Sequence, residues 1–139
     1  MMRARARAFD VTAIPAKIRP YLTQHLVTSG SEYNVYALSV FEGLVMIQIV
    51  NDVGFPAWRP AWAFDFVDRS LPDDWMCSAF AEEPSLVLGP AFIAASVKDY
   101  EAMAELEADK VHQFWQRVRS RHPADEERAR RDAAGGTRP

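Results

Sequence analysis

Two sets of residues in this sequence could carry chemistry: a single cysteine with the histidines, and a series of closely spaced carboxylates. Cys77 with His112 or His25 would supply a thiol nucleophile and a base. Such a pair must meet in space, and a lone cysteine between Met76 and Ser78 on a predicted strand is more typical of a small buried apolar residue. We therefore expect Cys77 to be structural.

Six carboxylates could supply oxygen ligands for a divalent cation or an acid and base for hydrolysis: Asp65, Asp68, Asp73, Asp74, Glu82 and Glu83. The two adjacent pairs fall in predicted turns, where Asp commonly forms local hydrogen bonds, so we expect solvated side chains. The three histidines lie at least ten residues apart, and this spacing does not fit a structural zinc site. We predict no catalytic residue, no metal and no cofactor.

Aromatic side chains are concentrated in residues 52–80, which contain three of the four tryptophans and four phenylalanines. Trp58 lies between Pro56 and Pro60, a pattern that predicts a loop. Aromatic residues that lie on loops beside charged groups are frequent anchors of protein interfaces. The sequence therefore predicts a binding surface built from Trp58, Arg59, Trp62, Asp65, Asp68, Asp73 and Asp74.

The elements expected to position these residues include a small sheet. Residues 33–50 alternate, turn at Glu42-Gly43, and continue as an apolar run from Leu44 to Val50, which predicts a β-hairpin. The second strand is apolar on both faces except for Gln48, so we expect it to be central and covered on each side. Residues 75–80 and 85–88 predict two further short strands.

Residues 61–69 admit two interpretations. The spacing of Trp62 and Phe66 predicts a short helix with Asp65 and Asp68 pointing outward. The alternation of Trp62, Phe64 and Phe66 would also fit a strand, because aromatic residues favour strands. We choose the helix and leave the strand as the alternative.

Helices are predicted on both sides of this sheet region. An N-terminal helix is expected to begin near Arg19, because Pro20 suits a first turn, and to end before Gly30. Ser96 and Asp99 have the spacing of a capping box at the start of a later helix. A second C-terminal helix ends at His122-Pro123 and has an apolar stripe that places Trp115 in the core: Val111, Phe114, Trp115 and Val118. The sequence thus predicts an α+β fold with a small, mainly antiparallel sheet.

The chain length of 139 residues suits one domain, which we expect to span 13–122. Residues 1–12, with alternating Arg and Ala, predict a flexible basic leader, and 123–139 predict a disordered charged tail without an apolar face. We expect both ends to be dispensable for stability. One cysteine and no apolar run of membrane-spanning length predict a cytoplasmic protein.

The net charge of −3 conceals an acidic body with basic ends. Residues 40–116 contain thirteen acidic and four basic residues, a net charge of −9, whereas each end of the chain carries +3. An acidic body repels nucleic-acid phosphates and attracts basic proteins. We therefore predict a protein partner, with basic character, and neither a nucleic acid nor a membrane.

In length and acidity the chain is similar to small bacterial immunity and inhibitor proteins that neutralise toxins. That similarity implies a non-enzymatic domain that masks a basic partner. Two alternatives stay open: a small enzyme or ligand-binding domain with an aromatic pocket near Asp65, Asp68 or Cys77, and a structural subunit of an oligomer such as a homodimer.

Overall fold

The computed structural model describes residues 1–126, which form two antiparallel sheets with helices after the last strand. The strands are β1 (Arg3–Ala6), β2 (Glu32–Asn34), β3 (Ala37–Phe41), β4 (Leu44–Val50), β5 (Pro56–Pro60), β6 (Phe64–Asp68), β7 (Met76–Ala79) and β8 (Leu86–Gly89). The helices are α1 (Ala91–Ala94), α2 (Val97–Ala104) and α3 (Ala108–Arg121). Single turns of 3-10 helix lie at Val11–Ala13, Arg19–Leu22 and Ala61–Ala63. The predicted α+β class is confirmed.

The larger sheet has the strand order β5-β4-β3-β8-β7, and the smaller sheet has the order β2-β1-β6. Strands β3 and β4 form the predicted hairpin. Its turn residues Glu42 and Gly43 have φ angles of 50° and 77°, the left-handed conformation that suits a two-residue hairpin turn. Strand β4 lies between two neighbours and, from Met46 to Val50, buries both of its faces as its apolar sequence predicted, whereas Val45 is exposed.

The larger sheet separates two hydrophobic cores, and β4 contributes to both. Val50 belongs to the core between this sheet and the helices, whereas Ile47 and Ile49 belong to the core between the two sheets. We call these the helix-side core and the inter-sheet core. The helix-side core consists of Tyr36, Ala37, Val50, Val87, Ile93, Ala94, Tyr100, Met103, Phe114 and Val118. The inter-sheet core consists of Met2, Ala4, Ala6, Tyr33, Val35, Ile47, Ile49, Ala63 and Phe64.

The C-terminal helices follow the sequence pattern closely. The Ser96 hydroxyl accepts a hydrogen bond from the Asp99 backbone N–H at 3.0 Å, so the predicted cap is present at the start of α2. Lys110 of α3 donates to the Asp99 carboxylate at 2.7 Å and to the Phe92 carbonyl at 2.8 Å. This one ammonium group joins the three helices. Trp115 packs at the margin of the helix-side core.

The expected flexible leader is wrong for residues 3–6, because they form the central strand of the smaller sheet. Ala4 and Ala6 are buried in the inter-sheet core, whereas Arg3 and Arg5 face outward and pair with Glu32 at 3.3 and 3.5 Å. The residues therefore alternate between the faces of the sheet, with alanine as the inward residue. Alanine has low strand propensity, so this alternation alone does not predict a strand.

The N-terminal helix is shorter than predicted: only Arg19–Leu22 is helical, as one 3-10 turn. Just after this turn, the backbone carbonyls of His25 and Gln24 accept hydrogen bonds from the Arg59 guanidinium, at 3.0 Å and 2.5 Å. In a continued helix, these carbonyls would accept hydrogen bonds from backbone N–H groups, but here their donor is a side chain. The helix therefore stops before residue 24.

The predicted loop at 56–60 and the predicted helix at 61–69 are both wrong. Residues 56–60 form edge strand β5, where prolines are tolerated because one side of the backbone needs no partner. Only Ala61–Ala63 makes a helical turn, and Phe64–Asp68 is strand β6, so the strand alternative was the correct one. Pairing with β1, which the sequence had not predicted, decides the conformation of β6.

The predicted disordered tail begins too early. Asp125 is buried, accepts a hydrogen bond from the Tyr36 hydroxyl, and accepts another from the Asn34 amide at 3.3 Å. The chain is therefore anchored to the sheet through residue 125. The rest of that prediction, residues 127–139, lies outside the described part of the chain. Among residues 1–126, none of the helices has the length and apolar character needed to cross a bilayer.

Candidate functional site

The structure places the four aspartates of the predicted binding surface in two successive segments, β6 and the connection that follows it. Asp65 and Asp68 lie on β6, and Asp65 is directly opposite Arg5 on β1. Asp68 accepts hydrogen bonds from the Ser70 hydroxyl and backbone N–H, and it lies 3.5 Å from the N-terminal ammonium group. The Ser70 hydrogen bonds, with a smaller contribution from that ammonium group, hold the pKa of Asp68 at about 2.

Asp73 and Asp74 lie on the connection between β6 and β7. The Asp74 carboxylate accepts two hydrogen bonds from Arg117, at 2.5 and 2.8 Å, and one from Arg121 at 3.3 Å. The Arg117 hydrogen bonds hold the pKa of Asp74 at about 2. Positive groups of the chain itself thus lie beside Asp65, Asp68 and Asp74, which weakens their attraction for a basic partner.

The aromatic and basic residues of the predicted surface also make contacts within the chain. Trp58 is half-buried against the helix-side core, with its ring 5.1 Å from that of Tyr100. Trp62 packs on the inter-sheet core, 5.0 Å from the Phe9 ring and under the Arg7 guanidinium. Arg59 bonds the carbonyls already described. No measurement tests a binding role for these residues, which stays a prediction.

Cys77 is exposed on β7, so the expectation of a buried residue is wrong. β7 is an edge strand of the larger sheet, and the sequence pattern does not show that a strand lacks a neighbour on one side. The proposed pocket near Asp65, Asp68 and Cys77 would draw on both sheets, because the aspartates lie on β6 and the cysteine on β7. Within residues 1–126, no group of three or more His, Cys, Asp or Glu side chains is arranged to hold a metal ion.

The structure reveals a different surface, on the side of the larger sheet that faces away from the helices. Directly opposed residues of an antiparallel sheet share a face, so the register of four strands defines cross-strand rows. One row contains Ile47, Leu38, Leu88 and Cys77, and the next contains Val45, Val40, Leu86 and Ala79. These eight side chains are apolar or weakly polar, whereas Arg59 of β5, which lies opposite Ile47, continues the first row with a charged residue.

The smaller sheet covers only one corner of this surface. Ile47 is fully buried and Leu38 packs on the inter-sheet core. Val45 is 50% exposed, and the remaining side chains are exposed or half-buried. We call the part of this surface outside the inter-sheet core the open face, in which Val45, Cys77 and Ala79 are exposed and Val40, Leu86 and Leu88 are half-buried.

The open face ends at an unprotected strand edge. The Phe80 N–H donates to the Ser85 carbonyl at 2.9 Å, so alternation directs the backbone groups of Cys77 and Ala79 away from β8. Within the described chain no strand pairs with that side of β7. The opposite edge strand, β5, carries Pro56 and Pro60, which block the addition of another strand.

A signal for the open face was present in the sequence. Strands β3, β4 and β8 are apolar on both faces, a pattern typical of strands that are buried on both sides. What the sequence could not show is how far the smaller sheet extends over the larger one. Comparison of the chain with protein-family models, with curated proteins and with solved structures finds no match.

Proposed function

We propose that this protein is a non-enzymatic protein-binding domain and that it binds its partner through the open face. The open face itself carries the proposal. An antiparallel sheet that faces water normally presents polar side chains there, whereas these six side chains include no charge. Contiguous exposed apolar surface is characteristic of interaction sites.

The charge distribution favours binding of the partner through apolar side chains over binding through the predicted aspartates. Three of the four predicted aspartates have a basic group of the chain beside them, whereas the six side chains of the open face carry no charge. Three other carboxylates, Glu42, Glu82 and Glu83, lie at the turns that end the strands of the open face. They could steer a basic partner, so a basic partner and an inhibitor-type role remain part of the proposal. The proposed compartment is the cytoplasm.

The test compares two exposed valines that differ in location. A photoreactive amino acid at Val45, on the open face, and at Val11, which is 70% exposed in a separate 3-10 turn, should give crosslinks from position 45 alone. The crosslinked protein is then identified and its affinity measured with purified variants. We expect Leu86→Asp to weaken binding by about tenfold or more, and Val11→Asp to leave it unchanged.

The proposal is wrong if the identified partner binds Leu86→Asp and Val11→Asp equally well. It is also wrong if both positions crosslink with the same yield, because the open face would then be an ordinary surface. Far-ultraviolet circular dichroism and a urea unfolding curve for each variant exclude loss of the fold as the cause.

A further inference from the structure

We infer that the helix-side core contains an internal site for one water molecule, held between Gln48 of β4 and Trp58 of β5. The water accepts a hydrogen bond from the Trp58 indole N–H and donates one to the side-chain carbonyl oxygen of Gln48. The site lies across the larger sheet from the open face, and the inference does not depend on the proposed function.

The inference begins with two polar atoms that are buried without a hydrogen bond. Within residues 1–126, Gln48 Oε1 and Trp58 Nε1 are both enclosed and neither has a hydrogen-bond partner. The whole Gln48 residue is only 1% exposed. A buried polar group without a partner is costly, and nearly all such groups in folded proteins bond to the chain or to ordered water. One of the two atoms is an acceptor and the other carries a donor, so a single water molecule satisfies both.

The strand register places the two side chains next to each other. Gln48 lies directly opposite Trp58. The Gln48 backbone carbonyl accepts a hydrogen bond from the Tyr36 N–H at 2.8 Å, on the side of β3, so its backbone groups point away from β5. Opposed residues of this kind bring their side chains closest together, with Cα atoms about 4.5 Å apart. The two hydrogen bonds of one water span up to about 6 Å, which is the right scale for a bridge.

Tyr100 of α2 closes the site from the helix side. Its hydroxyl group lies 3.2 Å from Ser39 Oγ on β3, and its ring lies 5.1 Å from the Trp58 ring on β5. Because β4 lies between β3 and β5, the Tyr100 side chain passes over β4 beside Gln48. The Ser39 and Tyr100 hydroxyls bond each other, and neither hydroxyl bonds Gln48 or Trp58. The occupant of the site must therefore be small.

The surroundings of the site select a neutral molecule that both donates and accepts. Neither Gln48 nor Trp58 carries a charge, so an ion would be buried there without compensation. The residues beside Gln48 on the same face of the sheet are apolar: Ala37, Met46 and Val50. Water is the smallest molecule that accepts from an N–H and donates to a carbonyl oxygen at the same time, and two partners suffice for a buried water.

The experiment measures magnetisation transfer from water to the indole N–H groups of the isotope-labelled full chain by NMR. The Trp58 signal is assigned from its loss in Trp58→Phe. A long-lived bound water gives nuclear and rotating-frame Overhauser effects of opposite sign, whereas exchange of the N–H with solvent gives effects of the same sign. We expect opposite signs at the Trp58 indole of the wild type.

Three variants test which groups hold the water. Gln48→Met keeps the length of the side chain and removes the carbonyl oxygen, so the bound-water signal at Trp58 should be lost. Gln116→Met, at an exposed position of α3, is the matched control and should retain the signal. Tyr100→Phe should also retain it, because the tyrosine hydroxyl bonds Ser39. The dispersion of the amide spectrum reports whether each variant is folded.

The inference fails on any of three results. A wild type without a bound-water signal at Trp58 overturns it, as a direct hydrogen bond between the two side chains would produce. A signal that persists in folded Gln48→Met shows that Gln48 does not hold the water. A signal that disappears in folded Tyr100→Phe comes from the tyrosine hydroxyl and not from a bound water. The wild-type measurement needs no variant, so a variant that fails to fold leaves the test intact.

Discussion

The two faces of the larger sheet have similar side chains but different cover. On the helix side, Ala37, Val50 and Val87 are all buried, under helices that contribute Ile93, Met103, Phe114 and Val118. On the other side, Ile47 and Ile49 are buried under the smaller sheet, whereas the side chains of the open face are exposed or half-buried. The same strands thus supply the sides of two closed cores and one exposed apolar surface.

The difference suggests a rule: a strand whose sequence is apolar on both faces is expected to have both faces buried when the protein functions. Strands with one solvated face alternate between apolar and polar residues, and β8 does not. Leu86 and Leu88 lie outside the two described cores and are half-buried, and they belong to the surface through which we propose that a partner binds. The predictions below test each face in turn.

The largest effect is expected from deletion of residues 1–8, which removes β1 and with it the cover of Ile47 and Ile49. Strands β2 and β6 would lose their common neighbour, because each pairs with β1. We expect a loss comparable with the whole stability of a domain, about 5–15 kcal/mol. The measurement is urea unfolding with near-ultraviolet circular dichroism. The control Arg3→Ser changes an exposed residue and should cost under about 0.5 kcal/mol; a truncated chain with the wild-type midpoint would show that β1 is dispensable.

The next effect compares one residue from each face of the larger sheet. Phe114→Ala opens a cavity in the helix-side core and should cost about 3–5 kcal/mol. Leu86→Ala removes a half-buried side chain from the open face and should cost about 1 kcal/mol in the isolated chain. Urea unfolding of both variants gives the difference. Equal costs would mean that the open face is already covered in the isolated chain.

The sequence predicted the parts of the fold whose signals are local. The hairpin of β3 and β4, the short strands β7 and β8, and the cap of α2 at Ser96 follow from turn chemistry and periodicity within a few residues. The smaller sheet was missed because its three strands come from distant parts of the chain. Neither β1 nor β6 has a distinct signal alone, and each becomes a strand through pairing with the other.

The candidate site could not be located from the sequence for a related reason. Trp58, Arg59 and Trp62 looked available because their region resembled a loop, but their contacts lie in segments far away in sequence, such as Tyr100 and His25. Conversely, the open face is formed by four strands whose register brings Val45, Val40, Leu86 and Ala79 into one row. Composition indicated that these strands are apolar on both sides, and only the structure shows which side lacks cover.

A smaller effect on stability, which depends on pH, is expected from one histidine beside each of the two cores. His25 packs on the inter-sheet side, beside Phe9 and Phe64, and His122 packs against Tyr36 on the helix side. Burial lowers the pKa of His25; the positive charge of Arg59 lowers it further, and the negative charge of Asp52 opposes the shift. Burial also lowers the pKa of His122, where Arg117 and Arg121 add to it and Asp125 opposes it.

Both shifts have the same sign for stability. As pH falls below about 6.5, the ordinary pKa of histidine, the unfolded chain takes up protons before the folded one, so the free energy of unfolding decreases. Each histidine can contribute a slope of at most about 1.4 kcal/mol per pH unit. Urea unfolding between pH 5 and 7.5 should give a flatter curve for His25→Gln and for His122→Gln, with His112→Gln, an exposed residue, as the control. A variant curve parallel to the wild type would show that its histidine is solvated.

The smallest effect concerns the ion pair that ties the helices to the strand beside the open face. Asp74 precedes β7 and accepts its hydrogen bonds from Arg117 of α3, whose side chain is only 9% exposed. The folded pKa of about 2 lies below 3.8, the ordinary pKa of an aspartate, so the stabilisation is complete above pH 4 and is lost as pH falls towards 2. Because the Asp74 side chain is 42% exposed, solvent screens the pair, and Asp74→Asn should cost only about 0.2–1 kcal/mol at neutral pH. Asp73→Asn, on the adjacent exposed residue, is the matched control for urea unfolding at pH 7 and pH 3.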